Sequence, residues 1–321
     1  MQERPHSYKP RPKFFGTGGT FFGLELEVEA PDYQAKQSGL EAEANPNWCY
    51  AKHDGSLGAN GWELVTHPVS MNFWLSRGDV QNYRDIPVGT VLTREHKGTT
   101  HSVTALAGGR FEWEGQTYKS IGLASKAISG GWATDGYKFF GLKTGQDNPT
   151  AAFFRLVANL SRLGYTSHDG GRCGFHIHIS RTAFSDAGDL RNAAFYRFKV
   201  LVNGLLFRKL SQRESFSYCE QSPVDPENFW ERGYSRYQAV NITDATVEVR
   251  IFRGNLREAR LRKNIEAVIA ALEFAREVDS YAVPTDAEFA AFVRARAERF
   301  PNLAAYINHL DGTKEGEESC A

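Results

Sequence analysis

Residues 21–29 read Phe21-Phe22-Gly23-Leu24-Glu25-Leu26-Glu27-Val28-Glu29 and alternate without a break. In an extended chain successive side chains point to opposite faces. Phe22, Leu24, Leu26 and Val28 therefore share one face, and Gly23, Glu25, Glu27 and Glu29 share the other. The apolar row belongs against a core. The carboxylate row needs its own explanation.

Three further segments repeat the pattern. Asp54-Gly55-Ser56 leads to Glu63 in a strand predicted over Trp62–His67 and stopped by Pro68; His176-Ile177-His178 lies in a strand over Cys173–Ser180; and Glu248-Val249-Arg250 lies in one over Thr243–Phe252. Period two places Glu25 with Glu27, His176 with His178, and Glu248 with Arg250. A solvated face of an antiparallel sheet explains any one of these strands. It explains the set less well, because such faces mix Thr, Ser, Lys and Gln, whereas these carry Glu and His almost alone. On one sheet the carboxylates would face each other and raise one another's pKa unless a cation neutralised them. Hard oxygen donors with one imidazole suit Mg²⁺ or Mn²⁺ better than structural zinc.

Working outward, helical periodicity recurs over 150–163, over 187–211 (Phe195, Phe198, Val202, Leu205) and over 257–278 (Leu261, Ile265, Val268, Leu272). Residues 285–310 read as two short helices split by Pro301, and 314–321 as a frayed acidic tail. Residues 1–20 read as an arm whose Gly16–Thr20 cluster is a turn, since it lacks the Lys-Ser/Thr of a phosphate loop and no helix follows it. The stretch 84–142 differs: short strands near 90–95, 101–106 and 110–114, a hairpin signal at Gly108-Gly109, and a helix near 120–129 ending at Gly130-Gly131. It reads as an insertion.

The fold class expected is α+β: a curved antiparallel sheet with helices on its convex face, interrupted by a small β-rich insert. The expected domains are a discontinuous catalytic one at 1–83 and 143–321, and the inserted module at 84–142. A chain of 321 residues, 41% hydrophobic and 24% charged, has material for a sizeable core. Lys plus Arg equals 38 and Asp plus Glu equals 38, which argues against a wholly nucleic-acid- or lipid-binding surface. No apolar run spans a bilayer, the polar N-terminus lacks a secretory h-region, and the four cysteines form no CxxC pair; the chain reads as cytoplasmic, without membrane contact.

The series FGLELE, KHDGSLGANGWELVTHP, CGFHIHIS and VEVRIFRG resembles the amidoligase family of the carboxylate–amine ligase superfamily, which includes glutamine synthetase and glutamate–cysteine ligase. The resemblance implies a sheet whose concave face binds ATP and Mg²⁺. It implies that Glu25, Glu27, Glu63, His176 and Glu248 are metal ligands, and that Arg250 steadies the transferring phosphoryl group. The reaction implied is ligation of a carboxylate to an amine through an acyl phosphate. The substrates stay open among amino acid, peptide, protein side chain and polyamine.

Other residues keep two readings at this point. His178 orients a carboxylate or contacts substrate, or is a satisfied neighbour of the ligands. Lys52 and His53 reach phosphate or lie on the surface. Asp54 is a ligand or caps the DGS turn. Arg172 closes on phosphate or is solvated, and Arg253 and Arg257 bind ATP or substrate or form a surface pair at a helix start. Cys173 reads as a packing residue. The insert is similar to a RAMA-like module of bacterial and phage proteins, implying nucleic-acid or protein recognition; its seven Lys/Arg against five Asp/Glu give little electrostatic support for DNA. Two other functions compete: a metal-dependent hydrolase using the same Glu/His face, and a degenerate ligase scaffold acting as a binding protein.

Overall fold

The computed structural model describes residues 1–318 except 17, 44–45, 76–85, 87–88, 132–135, 141–148, 169–170, 214–216, 234 and 279. The strands are β1 (Glu3–Arg4), β2 (Phe21–Glu29), β3 (Cys49–Lys52), β4 (Gly61–Thr66), β5 (Val69–Ser70), β6 (Val91–His96), β7 (Thr99–Leu106), β8 (Arg110–Trp113), β9 (Gln116–Tyr118), β10 (Gly174–Ser180), β11 (Val240–Ile242) and β12 (Thr246–Arg253). The helices are α1 (Tyr33–Glu41), α2 (Met71–Leu75), α3 (Ile121–Ile128), α4 (Gly136–Phe139), α5 (Pro149–Arg162), α6 (Ala193–Val202), α7 (Leu205–Ser211), α8 (Glu258–Arg276), α9 (Asp286–Ala295) and α10 (Pro301–Glu318). The protein is mixed α/β.

The chain divides into two units. The first comprises Met1–Phe15, Gly19–Leu75 and Phe153–Ala321; the second, Gly16–Gly18 and Ser76–Ala152. The edges expected for the insert, 84 and 142, lie outside the described residues.

Among the described residues the first unit holds an eight-stranded sheet in the order β1-β3-β4-β2-β10-β12-β11, with β5 paired to β2. The sheet is mixed. Its neighbours run antiparallel except β1, which lies parallel to β3 with Glu3 opposite Ala51. Phe22, Leu24, Leu26 and Val28 are fully buried, as are Phe175, Ile177 and Ile179 of β10 and Val247, Val249 and Ile251 of β12. Helices bear on this apolar side: Trp74 of α2 donates to the Phe22 carbonyl (3.4 Å), and Phe207 of α7 lies 6.3 Å from Phe252.

The structure corrects three boundaries. The single helix expected over 187–211 is two. Asn192 caps α6 by accepting from Phe195 N (2.9 Å), so the helix starts at Ala193, and extended Gly204 separates it from α7. Asp286 of α9 then accepts from Leu206 N (2.8 Å), satisfying a free amide at the start of α7. The strand expected from Thr243 starts at Thr246, because Thr243 N bonds the Thr246 carbonyl (2.9 Å) in the turn joining β11 to β12. Pro301 does split the last helices, but α10 continues to Glu318; buried Glu266 of α8 accepts from Leu303 N (2.8 Å) and Asn302 Nδ2 (2.6 Å) at its first turn.

Lys263 of α8 is 2% exposed. Its Nζ donates to the Leu210 carbonyl and lies 4.6 Å from the Tyr306 ring centroid. Burial, with a smaller contribution from Arg260, lowers its pKa to about 7. Between that value and the ordinary value of 10.5 the unfolded chain binds the proton more tightly. Stability from this group therefore rises with pH across that window, by up to about 4–5 kcal/mol at 1.36 kcal/mol per unit. Urea titrations at pH 7 and pH 10 will show wild type gaining on Lys263→Met as pH rises.

The second unit is an antiparallel meander, β6-β7-β8-β9, with α3 packed on it. Its core is Leu92, Val103, Ala105, Phe111, Ile121, Ala124, Ile128 and Phe140. Gly108 and Gly109 turn β7 into β8 at φ 72° and 69°, a region that favours glycine. No helix among the described residues is long and apolar enough to cross a membrane.

Candidate metal and phosphate site

Register sets the site. On the sheet face opposite the buried apolar row, Lys52 of β3 pairs with Glu63 of β4, and Glu63 with Glu27 of β2. In the next row Tyr50 pairs with Val65, Val65 with Glu25, and Glu25 with His176. The third row runs Gly23, His178, Glu248, Asn241 across β2, β10, β12 and β11. Three rows thus gather four glutamates and two histidines from four strands, β2, β4, β10 and β12. Glu27 directly opposite Glu63 is an unfavourable cross-strand pair unless something neutralises it.

A bulge aims the last strand. Phe175 pairs with Phe252 and Ile177 with Val249, so Arg250 and Ile251 together oppose His176. The extra residue returns Phe252 to the apolar side while Glu248 and Arg250 stay on the polar side.

The polar groups form two clusters, Glu25/His176/Glu248 and Glu27/Asp54/Glu63, each offering donor atoms within 4.8 Å of one another. Glu27, Glu63, His176 and Glu248 are 3–6% exposed. His176 Nδ1 lies 3.6 Å from Glu25 and 3.5 Å from Glu248, and Nε2 lies 3.9 Å from Glu27. These groups converge beyond hydrogen-bond distance, and buried His176 Nδ1 has no hydrogen-bond partner. A buried polar atom left this way costs free energy. Carboxylates and an imidazole converging without bonding one another fit a hard divalent cation.

Charges within the cluster displace one another. Burial disfavours ionised Glu25, yet His178 and His176 outweigh it and hold Glu25 well below the carboxylate range. Glu248 is lowered against burial by His178, His176 and Arg250. Burial and the charge of Glu25 push Glu63 up to about 9, opposed by Lys52 at 2.8 Å, an ion pair without hydrogen-bond geometry. Burial works against the His178 cation, but Glu25 and Glu248 carry its pKa up to about 9.

A cavity of about 410 Å³ covers this face. Glu25, Glu27, Glu63, His176, His178, Glu248, Arg250 and Lys52 all line it, together with Asp54 and Arg172. Arg250 Nη1 donates to Glu248 Oε1 (2.5 Å), Asn241 Nδ2 donates to Glu248 Oε2 (2.8 Å), and Thr246 holds His178 Nδ1 at 3.0 Å. Asp54 caps its turn by accepting from Ser56 N (2.7 Å), and its carboxylate also lies with those of Glu27 and Glu63. Arg172 lines the cavity while paired with Glu29 at 3.2 Å. His53 does not line it; the ring is half-exposed, 3.4 Å from Glu3.

Arg253 and Arg257 are absent from the cavity wall. Arg257 is the residue before α8, and its amide bonds Asn255 (2.7 Å). Arg253 pairs in register with Gly174, but the guanidinium over Gly174 is that of Arg213. Burial raises the Cys173 thiol, which suits a packing residue.

Sequence reasoning missed Arg213 and Arg236, which add positive charge to the wall, and also His6, Lys9, Tyr218, Tyr237 and Asn241. A Cβ on Gly174 would lie 2.5 Å from Arg213 Nη2 and 2.8 Å from His176 Nε2. Gly174→Ala will therefore displace both side chains and weaken Mn²⁺ binding about tenfold or more, read by calorimetry on protein whose far-ultraviolet dichroism is unchanged.

Residues 59–143 are similar to the family described as "Protein of unknown function (DUF2924)". That match takes in Glu63 and none of the other residues of the two clusters. No curated protein matches the chain.

Proposed function

We propose that the protein is an ATP- and Mg²⁺-dependent carboxylate–amine ligase, an amidoligase on a glutamine synthetase-like catalytic fold, forming an amide through an acyl phosphate. The observation that carries the reading is the pair of clusters Glu25/His176/Glu248 and Glu27/Asp54/Glu63 on one sheet face, walled by Lys52, Arg172, Arg213, Arg236 and Arg250. Acidic clusters beneath a cationic wall suit a polyphosphate held with divalent cations, because each layer neutralises the next.

Mg²⁺ held by these carboxylates and His176 would supply charge neutralisation at the phosphates. The chain's own residues divide the remaining work. Arg250 presents a planar guanidinium beside Glu248 and is placed to meet charge on a transferring phosphoryl group. Lys52 and Arg213 hold phosphate oxygens. His178, fixed by Thr246, faces Glu25 and Glu248 and orients them.

Calorimetric titration with ATP and Mg²⁺, followed by phosphate release against pooled amino acids, peptides and polyamines, tests the reading. Binding of ATP and release that requires both a carboxylate and an amine are expected. Absence of ATP binding at millimolar concentration would favour the metal-dependent hydrolase, which uses the same Glu/His face without a nucleotide.

A further inference from the structure

A second cavity, of about 250 Å³, adjoins the first, and Glu25 and His178 line both. Its character is different. Gly23, in the third row where the alternation of β2 would otherwise place a side chain, leaves the space open. Tyr50 and Val65 border it, and Phe14, Phe21 and Pro68 add apolar surface. Phe14 packs edge-on against Phe21 (5.0 Å) and is 62% exposed, leaving the ring accessible. Phe15 N bonds the Pro68 carbonyl (2.9 Å) and Ser70 N the Phe15 carbonyl (2.8 Å), so the arm is tied down beside the cavity.

Each Ser and Thr hydroxyl along this cavity already has a hydrogen-bond partner. Thr66 Oγ1 accepts from Leu24 N (2.9 Å), Ser180 Oγ accepts from Phe21 N (3.1 Å), and Thr246 Oγ1 pairs with His178 and with Thr243 at 2.8 Å. A hydrocarbon group needs no donor or acceptor from this wall, and the apolar side chains supply the contact it does need. Glu25 and His178 place the polar mouth of the cavity at the metal-facing groups.

We infer that this cavity is an acceptor subsite: it takes an apolar group the size of a Leu or Phe side chain, carried by the carboxylate or the amine joined at the neighbouring centre. The inference rests on the ligase reading for its chemistry but on Gly23 and the apolar wall for its location. Gly23 is the specificity-determining position. A Cβ there would meet His178 Cβ and the Thr66 carbonyl at 3.7 Å, ordinary contact, so a larger residue grows into the cavity without clashing at its base.

The test measures binding of 3-phenylpropionate and phenethylamine, with acetate and methylamine as short controls, to the Mg²⁺-loaded protein by calorimetry. Wild type, Gly23→Leu and Phe14→Ala are compared, and ATP affinity is measured for each. One aromatic probe, acid or amine, should bind wild type about tenfold or more tightly than Gly23→Leu, with a smaller loss in Phe14→Ala, whose exposed position spares the fold. The probe that responds identifies which substrate carries the apolar group. Equal binding by all three proteins, no aromatic binding by wild type at millimolar concentration, or a loss of ATP affinity in Gly23→Leu in place of probe affinity would overturn the subsite. Gly23-dependent probe binding without ATP-dependent phosphate release would uphold the subsite and remove the ligase reading.

Discussion

Arg250→Ala will lower carboxylate- and amine-dependent phosphate release by about 10³-fold or more, the range lost when an arginine that meets phosphoryl charge is removed, while the protein remains folded. Three observations set this expectation. The guanidinium lines the cavity, its Nη1 holds Glu248 at 2.5 Å, and its Nε is buried with no hydrogen-bond partner. Glu248 keeps Asn241 at 2.8 Å, so its carboxylate does not lose all its support when Arg250 is removed. Arg250→Lys separates charge from shape: it restores a cation but not a planar fork, and should recover only a small part of the rate. Glu25→Gln and His176→Ala should also be inactive, through metal loss. Mn²⁺ affinity distinguishes the cases: strongly reduced in the latter two, and changed little in Arg250→Ala. Full activity in all three variants would overturn the site assignment.

The legible part of this site is the part carried by strands. Glu25, Glu27, His176 and His178 could be assigned to a face because alternation is a local property of an extended chain, and pairing later placed those faces side by side. The shorter strands were not legible. Cys49–Lys52 is four residues and Val240–Ile242 three; both are strands because a neighbour supplies hydrogen bonds, and neither has enough length to show a period. Between them they bring Tyr50, Lys52 and Asn241 to the site. Arg213 and Arg236 come from connecting segments, whose paths no local pattern fixes. The bulge did leave a trace: Val247, Val249 and Ile251 alternate and then Phe252 breaks the period. Two adjacent apolar residues at the end of an alternating run mark the inserted residue, and the flip explains how Phe252 reaches Phe207 of α7. The break at Asn203-Gly204 was missed because apolar spacing continued across it; Asp286, far along the chain, makes the second helix start there.

Mn²⁺ will raise the thermal midpoint of wild type by roughly 5–10 °C at saturating concentration, and Glu63→Gln will respond far less while being the more stable protein without metal. The first half is mass action: a ligand at a hundred times its Kd adds about 2.7 kcal/mol, worth about 2–4 °C per kcal/mol in a chain of this size. The second half follows from register and burial. Glu63 is 4% exposed, directly opposite Glu27, and pushed up to about 9 by burial and by Glu25. A carboxyl raised in the folded state keeps a proton that the unfolded chain gives up. Its contribution is complete below the ordinary value of 4.5 and is lost as pH rises through about 9. At neutral pH the metal-free wild type therefore forgoes a few kcal/mol at this one position, which the neutral amide of Glu63→Gln spares. Lys52 acts in the opposite sense, since it would lose its 2.8 Å partner. Two opposite responses from one substitution, greater stability without metal and a smaller gain with it, are what a cation site produces and an ordinary buried ion pair does not. Should Glu63→Gln be the less stable protein in chelator, the Lys52–Glu63 pair is structural, and the second acidic cluster is not a metal site.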